Sequence, residues 1–566
     1  MNILGINCFA HDTAAVLVRD GVPLAFAEEE RFNRDKHTRA FPDGAVEFCL
    51  RQAGISIDDV DVVAFAHRAG TDYARGAADA VRRLPESGKR LAAQTYVDAM
   101  LVWKQRAFLR RWGYRGRVVN VGHHEAHAAS AFFPSGYEGA AVLTLDRGGD
   151  FLSTTLGVGR GSRLHTISEV RNPDSLGEVY TAVTWWLGFH PNADEGKVMG
   201  LAPYGTDRYV PSFRRLVHPL PGGTFSVNLS WFRYHMEGRV PWSRRFEEQF
   251  GRPREPESEL TAHHRDVAYG VQAVTEEVAL HMARALHDLT GLKDLVLSGG
   301  VALNSVMNAR ILAETPFERV FIQPAAGDAG NALGAALHVW HHQLGMPREW
   351  SMRHAFLGPE YETSALKAAL AARGLPFREV ADPAAEAADL LSRSKIVGWF
   401  QGRAEVGPRA LGARSILADP RRAEMKDIVN ERVKHREGFR PFAPAVLDER
   451  GADYFDGYAS NPFMLLVLPI QPGRRSEIPA VTHVDGTGRL QSVIREDNPE
   501  FHRLISEFDR RTGVPVVLNT SYNLRGEPIV HRPDEAVTDF LTTGMDALVM
   551  GPYLLEKDGS APGSSS

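Results

Sequence analysis

A chain of 566 residues, with 43% apolar and 24% charged residues, is too long for one hydrophobic core and is expected to form two large domains. The net charge of −5 excludes a strong general attraction for polyanions, so we expect no nucleic-acid partner. The amino-terminal apolar run lacks a basic leader and is interrupted by Asn7, His11 and Asp12, which argues against a signal peptide or a membrane span. Cys8 and Cys49 form neither a CxxC pair nor a disulfide framework, so we expect a cytoplasmic protein with no membrane partner.

The first thirty residues predict three strands joined by turns, with Asp20 and Gly21 as the clearest turn signal. The segments AAVLTLDRGGD, FLSTTLGVGRG and SRLHTISEV repeat this pattern further along the chain. The repetition predicts two related α/β halves that each begin with a β-meander. A helical stretch is expected between the halves, at about residues 44–112.

The domain boundaries follow from breaks in these patterns. We expect a first domain at residues 1–345, a linker at 346–356, a second domain at 357–557 and a disordered tail at 558–566. An insertion at about residues 206–264 is rich in Pro, Trp and Arg. Trp231, Tyr234 and Trp242 lie there, and either bind a substrate or pack the insertion.

A candidate metal site combines two histidines with two aspartates. His123 and His127 are four residues apart, so on a helix their imidazoles share one face and can hold one ion. Asp146 and Asp328 each lie where a strand gives way to glycines, a position where aspartate more often caps a turn or a helix. Together the four residues form a set that suits Fe, Mn or Zn better than Mg. The HExxH spacing of zinc proteases is absent.

A nucleotide site in the first domain must use glycine turns, because the chain contains no GxxxxGK[ST] loop. The candidates lie in EGKVMGLAPYG and SGGVALN and are Gly196, Gly299, Gly300 and Asn304. Glycine turns of this kind are more often structural than functional.

A group of cationic residues in the second domain lies among Gly, Pro and apolar residues rather than along a polar helical face. Its members are Arg409, Arg414, Lys434, Arg436, Arg440 and Arg489. Guanidinium groups beside Asn519, Thr520 and Ser521 would suit phosphate-type oxyanions. The alternative is that these arginines form buried structural pairs.

Eight ordered motifs carry a family resemblance that covers nearly the whole chain: HDTAAVLV, AEEERFNRDKH, HHEAHAASAFFPS, EGKVMGLAPYG, SGGVALN, EVGPRALGARSILADP, KHREGFRPFAP and LNTSYN. They resemble the O-carbamoyltransferases of antibiotic biosynthesis and nodulation. The resemblance implies a duplicated actin-like ATPase (ASKHA) domain, similar to tRNA threonylcarbamoyl transferases, fused to a YrdC-like α/β domain.

The resemblance also implies a reaction in two steps. The second domain would form carbamoyladenylate from carbamoyl phosphate and ATP, with Mg, and the first domain would transfer the carbamoyl group to a hydroxyl of a small-molecule natural product. Matching positions imply that carbamoyl phosphate and ATP are bound by Arg409, Lys434, Arg440, Arg489, Asn519 and Ser521. The implied metal ligands, for Fe(II) or else Mn or Zn, are His123, His127, Asp146 and Asp328.

Two further residues receive catalytic roles from the resemblance. His11 would take the proton of the acceptor hydroxyl, a task suited to a pKa near neutrality. Lys36 would hold the adenylate phosphate or the charge that develops on the carbonyl oxygen. The chain departs from the family at Arg147, where relatives have glycine; a positive φ there would strain this residue.

The alternative functions are a tRNA threonylcarbamoyl transferase, an actin-like small-molecule kinase and a non-catalytic binding module. The near-neutral charge argues against the tRNA enzyme. A kinase would produce ADP, whereas the adenylate mechanism produces AMP and pyrophosphate. A homodimer is left open.

Overall fold

A computed structural model of the chain describes residues 1–8, 11–68, 78, 81, 88–236 and 240–557, with the backbone alone for residues 88–98. The tail predicted at residues 558–566 lies outside this range. The chain divides into two compact units. Unit 1 comprises Met1–Glu30 and His37–Met352, and unit 2 comprises Arg31–Lys36 and Arg353–Ser566. The six residues Arg31–Lys36 therefore group with unit 2, although they lie within the segment assigned from sequence to the first domain.

The first sheet of unit 1 has the strand order β3-β2-β1-β4-β5. The strands are β1 (Asn2–Asn7), β2 (Ala14–Arg19), β3 (Val22–Glu28), β4 (Val62–Phe65) and β5 (Arg117–Asn120). Strands β1 to β3 form an antiparallel meander, whereas β4 runs parallel to β1 and β5 parallel to β4. Strands β1, β2 and β4 are buried almost along their whole length, as expected for strands covered on both faces.

The second sheet of unit 1 repeats this arrangement with the order β12-β11-β6-β7-β8. Its strands are β6 (Gly139–Gly149), β7 (Leu152–Arg160), β8 (Arg163–Arg171), β11 (Asp294–Ser298) and β12 (Arg319–Ile322). Again the first three strands form an antiparallel meander, and β11 runs parallel to both β6 and β12. The predicted α/β class and the duplicated β-meander are confirmed.

Helices cover the two sheets of unit 1. They are α1 (Glu30–Asn33, which crosses into the segment of unit 2), α2 (Asp43–Ala53), α3 (Gly88–Arg111), α4 (His123–Phe132), α5 (Leu176–Trp186), α6 (Glu195–Leu201), α7 (Val210–Phe213), α8 (Arg244–Phe250), α9 (Ala262–Thr290), α10 (Ser305–Glu314) and α11 (Gly330–Leu337). Helix α9 ends at Gly291, whose φ of 64° is the left-handed conformation that commonly stops a helix. Within the described ranges, every helix is too short or too polar to cross a bilayer.

The insertion at residues 206–264 contains the hairpin β9 (Val217–Leu220) and β10 (Thr224–Val227). Trp231 and Trp242 are only 4% and 3% exposed. They pack with aromatic neighbours, including Phe250 against Trp231. The structure therefore favours packing over substrate binding for these two tryptophans. Tyr234 is half-buried, and its hydroxyl donates to the carbonyl of Pro173 at 3.1 Å.

Unit 2 contains one nine-stranded sheet with the order β13-β21-β20-β14-β15-β19-β16-β18-β17. The strands are β13 (Arg378–Glu379), β14 (Val397–Phe400), β15 (Arg414–Ala418), β16 (Ala443–Leu447), β17 (Leu466–Pro469), β18 (Thr487–Val493), β19 (Val516–Ser521), β20 (Ala547–Met550) and β21 (Tyr553–Glu556). The helices are α12 (Thr363–Ala371), α13 (Pro383–Ser392), α14 (Met425–Val429), α15 (Pro499–Thr512) and α16 (Pro533–Thr542). A π-type turn, Asn430–Lys434, continues α14 and ends at His435, whose φ is 45°.

Candidate metal centre and anion site

Four buried side chains of unit 1 place their metal-binding atoms within 4.8 Å of one another: His123, His127, Asp146 and Asp328. His123 and His127 lie on successive turns of α4, and their Nε2 atoms are 3.1 Å apart. The His123 Nε2 atom lies 3.3 Å from Asp146 Oδ2 and 3.6 Å from Asp328 Oδ1. The His127 Nε2 atom lies 3.7 Å from the same Asp328 oxygen. These convergent nitrogen and carboxylate donors fit a transition-metal ion.

The pKa shifts of these residues are consistent with metal binding. Burial opposes a charge on His123, but Asp146 and Asp328 outweigh this effect and raise its pKa to about 9. Burial disfavours charged Asp146 and Asp328 as well, yet the imidazoles keep the pKa of both carboxyl groups below the usual value. The carboxylates are therefore ionised at neutral pH and available as ligands.

Neighbouring groups contact two of the four candidate ligands, His127 and Asp146. The Nδ1 atom of His127 hydrogen-bonds to Ser298 Oγ at 3.1 Å. The amide of Asn331 lies 3.1 Å from His127 Nε2. The backbone N–H of Gly300 donates to Asp146 Oδ1 at 3.0 Å. The contacts of Ser298 and Gly300 engage the other polar atom of each ligand and fix the direction in which it presents its donor atom.

His124 lies between the two candidate ligands in sequence but has a different environment. Its Nδ1 atom contacts Thr144 Oγ1 at 2.7 Å, and its Nε2 atom contacts the Leu152 carbonyl at 3.1 Å. Burial and the neighbouring imidazoles lower the pKa of His124 to about 3, so the ring is neutral at physiological pH. His124 therefore has a packing role.

The residues predicted as a first-domain nucleotide site have different local environments. Gly299 has a φ of 96°, and a Cβ there would lie 2.1 Å from the Leu145 carbonyl oxygen, so only glycine fits. Gly300 supports Asp146, as described above. Asn304 caps α10 by accepting from the Met307 N–H at 3.1 Å and pairs with Gln272. Gly196 lies in α6 beside open space.

Arg147 is not strained. Positive φ values in this loop occur instead at Gly148, Asp150 and Phe151, with angles of 151°, 51° and 63°. The guanidinium of Arg147 donates to Asn192 Oδ1 at 2.9 Å. The substitution therefore leaves the position of Asp146 intact.

His11 lies near the candidate metal ligands, because the charge of Asp328 influences it. Its Nδ1 atom lies 2.8 Å from Asp12 Oδ2. Burial lowers the pKa of His11, but the hydrogen bond with Asp12 and the charge of Asp328 outweigh burial and raise it to about 9. The neighbour Asp12 was missed from sequence; its only signal is its position directly after His11.

Lys36 belongs to the segment that groups with unit 2. Two arginines anchor this segment: Arg31 donates to the Gly407 carbonyl at 2.7 Å, and Arg34 donates to the Ile529 carbonyl at 3.0 Å. Lys36 itself is exposed, and its positive charge acts on Lys434. The structure thus groups Lys36 with the cationic residues of unit 2, while His11 lies in unit 1.

Five cationic side chains of unit 2 form what we call the cation cluster: Arg409, Lys434, Arg436, Arg440 and Arg489. Burial, followed by the charge of Arg440, lowers the pKa of Arg409 to about 10. Burial and the neighbouring arginines also lower the pKa of Arg436 and Arg489. Cations that repel one another in a partly desolvated place favour the binding of an anion.

The hydrogen bonds of the cation cluster leave specific positions open. The Nε–H groups of Arg409 and Arg489 are buried and have no partner among the described residues. One carboxylate, Glu437, lies 3.7 Å from Arg440. Lys434 differs, because its ammonium group already contacts oxygens of Ser521 and Asn523 at 2.7 to 3.4 Å.

A polar surface on strands β18, β16 and β19 adjoins this cluster. Asn519 on β19 donates to Gln491 on β18 at 2.7 Å, across the small residues of β16 that pair with them, Ala443 and Ala445. Arg489 lies two residues before Gln491 and therefore shares its face of the sheet. Ser521 lies two residues beyond Asn519 on the same strand. Its carbonyl and hydroxyl oxygens contact the ammonium group of Lys434. The Oδ1 atom of Asn519 is buried without a described partner.

Arg414 does not belong to the cation cluster. Its side chain is fully buried and donates to backbone carbonyls, among them those of Gln401 and Gly402 at 2.9 and 3.0 Å. The guanidinium also lies 3.7 Å from the centre of the Phe400 ring. For this one arginine the structural alternative is correct.

Comparison with known protein families identifies the family of the chain. The family model described as Carbamoyltransferase N-terminus matches residues 2–337, and the model described as Carbamoyltransferase C-terminus matches residues 388–557. The class is therefore an enzyme that transfers carbamoyl groups. The chain belongs to the carbamoyltransferase family.

Named relatives extend over most of the chain. The nodulation protein NolNO of Sinorhizobium fredii is 40% identical and is matched over 98% of this chain and 80% of its own length. NolO of Bradyrhizobium diazoefficiens is 41% identical over 77% of this chain and 79% of its own length. The uncharacterized protein sll1178 of Synechocystis is 39% identical over 98% of this chain and 97% of its own length.

Solved structures resemble the chain only distantly. A ROK hexokinase from Thermus thermophilus matches 60% of this chain and 100% of its own length with a TM-score of 0.29 and 17% identity. The HypF protein of T. kodakarensis matches 61% of this chain and 48% of its own length with a TM-score of 0.32 and 15% identity. The fold assignment of this chain therefore rests on its own strand order.

Proposed function

We propose that this carbamoyltransferase forms carbamoyladenylate from carbamoyl phosphate and ATP and passes the carbamoyl group to a hydroxyl of a small-molecule natural product. The cation cluster carries the first half of this proposal. Two of its arginines keep buried N–H groups without a described partner, and phosphate oxygens are the acceptors that guanidinium groups bind best. On this proposal unit 2 is the YrdC-like domain that the sequence resemblance implies.

The proposed chemistry of unit 2 has two balanced parts. Water releases inorganic phosphate from carbamoyl phosphate and leaves carbamate. A carbamate oxygen then attacks the α-phosphorus of ATP, and pyrophosphate leaves with the bonding electrons. Arg409, Arg440 and Arg489 hold the phosphate oxygens and offset their charge. Asn519 and Ser521 present amide and hydroxyl groups at the edge of the same polar surface.

The proposed chemistry of unit 1 completes the transfer. The acceptor hydroxyl loses its proton to His11 and attacks the carbamoyl carbon, and AMP leaves. Glycine turns at Gly299 and Gly300 are proposed to lie along the nucleotide, together with Gly196 and Asn304. Lys36, which groups with unit 2, is proposed to hold the adenylate phosphate or, alternatively, the charge that develops on the carbonyl oxygen.

The metal is proposed to be Fe(II), with Mn and Zn as alternatives. When bound by His123, His127, Asp146 and Asp328, it would supply positive charge to the phosphate of the leaving group and offset the charge of Asp328 that reaches His11. Mg is proposed to accompany ATP.

The test is a product analysis. The metal-loaded protein is incubated with ATP, carbamoyl phosphate and a panel of aminoglycoside, β-lactam, nucleoside and macrocyclic alcohols. We expect AMP, pyrophosphate and an alcohol that gains one carbamoyl group by mass spectrometry. Formation of ADP with a phosphorylated alcohol would instead identify a kinase, and tight binding of tRNA would favour the tRNA-modifying alternative.

A further inference from the structure

The carboxylate of Asp12 lies between two imidazoles of unit 1. Its Oδ2 atom is 2.8 Å from His11 Nδ1, and its Oδ1 atom is 2.7 Å from His37 Nδ1. Each carboxylate oxygen of Asp12 therefore contacts the Nδ1 atom of a different imidazole. The three side chains remain between 22% and 30% exposed, so the group is accessible to small molecules.

The backbone around this group adopts uncommon conformations. Asp12 and His37 have φ values of 53° and 56°, in the left-handed region that costs a residue other than glycine on the order of 1 kcal/mol. Neighbours hold both residues: the Asn7 amide donates to the Asp12 carbonyl at 3.3 Å, and the His37 N–H donates to Glu30 Oε2 at 2.8 Å. Such conformations persist where the surroundings impose them, commonly at functional sites.

This arrangement selects one nitrogen of His11. A carboxylate against Nδ1 favours the tautomer that carries its proton there, which leaves Nε2 able to accept a proton. The hydrogen bonds described for His11 involve Nδ1 only. An Asp–His pair with this geometry orients a general base and stabilises its protonated form.

We propose that Asp12 is a positioning residue for carbamoyl transfer, which holds His11 so that Nε2 faces the acceptor hydroxyl, and that His37 anchors the other oxygen of the same carboxylate. The inference rests on the proposed function, in which His11 takes the proton of the hydroxyl. It adds two residues that neither the sequence nor the family comparison assigns.

A second ion is the competing interpretation, since donor atoms of Asp12, Glu30 and His37 also lie within 4.8 Å of one another. Both Asp12 oxygens already contact an imidazole, and the Glu30 carboxylate already accepts a backbone N–H. An ion would have to displace these bonds. The geometry therefore favours the hydrogen-bonded arrangement.

The test compares three full-length, metal-loaded variants with the wild type: Asp12→Asn, His37→Gln and the control Asp20→Asn. Asparagine tolerates the left-handed conformation, so Asp12→Asn retains the backbone. Asp20 is a matched control because it also has a positive φ, of 49°, and pairs with the amino terminus. The assay supplies carbamoyladenylate and follows transfer to the alcohol, and adenylate formation is measured separately.

We expect Asp12→Asn to lower kcat for transfer by about 100-fold, within the range of general-base catalysis, with the KM of the alcohol changed less than about threefold. His37→Gln should lower kcat by roughly tenfold, because the other carboxylate oxygen of Asp12 keeps its own hydrogen bond. Adenylate formation should stay at the wild-type rate in both variants, and Asp20→Asn should behave as wild type.

The pH profile separates positioning from a purely structural role. The charged groups that act on His11 are Asp12, Asp328 and Arg147, and His37 shares the Asp12 carboxylate. Loss of the Asp12 charge should lower the pKa of His11 and move the acidic limb of kcat/KM by about one pH unit or more to lower pH.

Three results would overturn the inference: wild-type kcat and pH profile in Asp12→Asn, parallel loss of adenylate formation, or loss of a second equivalent of bound metal in that variant. A wild-type protein that fails to transfer from supplied carbamoyladenylate would overturn the proposed function itself, and the inference with it.

Discussion

The Nε2 atoms of His123 and His127 face each other at 3.1 Å from successive turns of one helix. If neither nitrogen carries a proton, their lone pairs point at each other unless both bind a cation. Asp146 and Asp328 add two ionised carboxylates at the same point. A metal ion bound by these nitrogen and oxygen atoms would remove the repulsion between the lone pairs.

We first predict that the purified protein binds about one equivalent of a transition metal per chain. His127→Ala and Asp328→Asn should lose most of it, because each removes a ligand from a buried set. His190→Ala, an exposed histidine of the same unit, serves as the control. Elemental analysis measures the content, and added metal should raise the Tm of the wild type and the control but not of the two ligand variants. Full metal content in Asp328→Asn would contradict this ligand set.

Arg489→Met should stabilise the substrate-free protein and remove adenylate formation. The substitution removes a charge that Arg409, Arg436 and Arg440 repel, and methionine fills similar space. We expect a gain of up to about 1 kcal/mol in the free energy of unfolding, because the group is only partly buried. Denaturant titration measures it. Pyrophosphate should raise the Tm of the wild type and leave that of the variant unchanged; equal shifts would contradict anion binding at this position.

The two reaction steps should separate in variants of the cation cluster. Lys434→Ala and Arg440→Ala are expected to lower adenylate formation by at least about 100-fold while transfer from supplied carbamoyladenylate continues. Lys434→Ala should also lower the Tm, since its ammonium group holds Ser521 and Asn523. Arg393→Ala, an exposed residue directly after α13, is the control. Loss of both steps to the same degree would argue against this division.

Lys36 provides a test of its own two proposed roles. Its grouping with unit 2 and its effect on Lys434 lead us to expect that Lys36→Met impairs adenylate formation at least tenfold. A role at the carbonyl oxygen would instead impair transfer from supplied adenylate and spare its synthesis. Pyrophosphate release and carbamoyl transfer, measured on the same preparation, distinguish the two outcomes.

Asp539 should make the stability of unit 2 depend on pH. Burial, joined by the charge of Glu527, raises the pKa of this carboxyl group to about 7, and its Oδ2 atom has no described hydrogen-bond partner. A group whose pKa is raised by folding contributes stability below its unfolded pKa, near 4, and loses it as the pH rises through 7. Asp539→Asn should therefore be more stable than the wild type at pH 8, by about 1 to 3 kcal/mol. Equal stability at pH 8 would contradict the shift.

Local patterns explain which features the sequence predicted well. The His123 and His127 pair follows from helical periodicity alone, and the repeated meander follows from alternating strands and turns. Asp146 and Asp328 were noted because each lies where a strand gives way to glycines, and the resemblance added their role as ligands.

Long-range contacts explain what the sequence did not show. Asp12 and His37 are 25 residues apart, and nothing in either motif signals that they share a hydrogen bond. Arg414 looked like a member of the cation cluster, because the backbone carbonyls that hold it have no signature in sequence. The helix cap that Asn304 provides was likewise not predicted from its motif.

The segment Arg31–Lys36 makes the two units inseparable by a single cut. A fragment that begins at Arg353 lacks Arg31 and Arg34, so the carbonyls of Gly407 and Ile529 lose their donors. The complementary amino-terminal fragment keeps residues 31–36 but lacks the carbonyl groups that Arg31 and Arg34 contact. Gene fragments that split the chain near this boundary therefore yield two incomplete proteins, and reconstitution in trans requires both pieces to be present together.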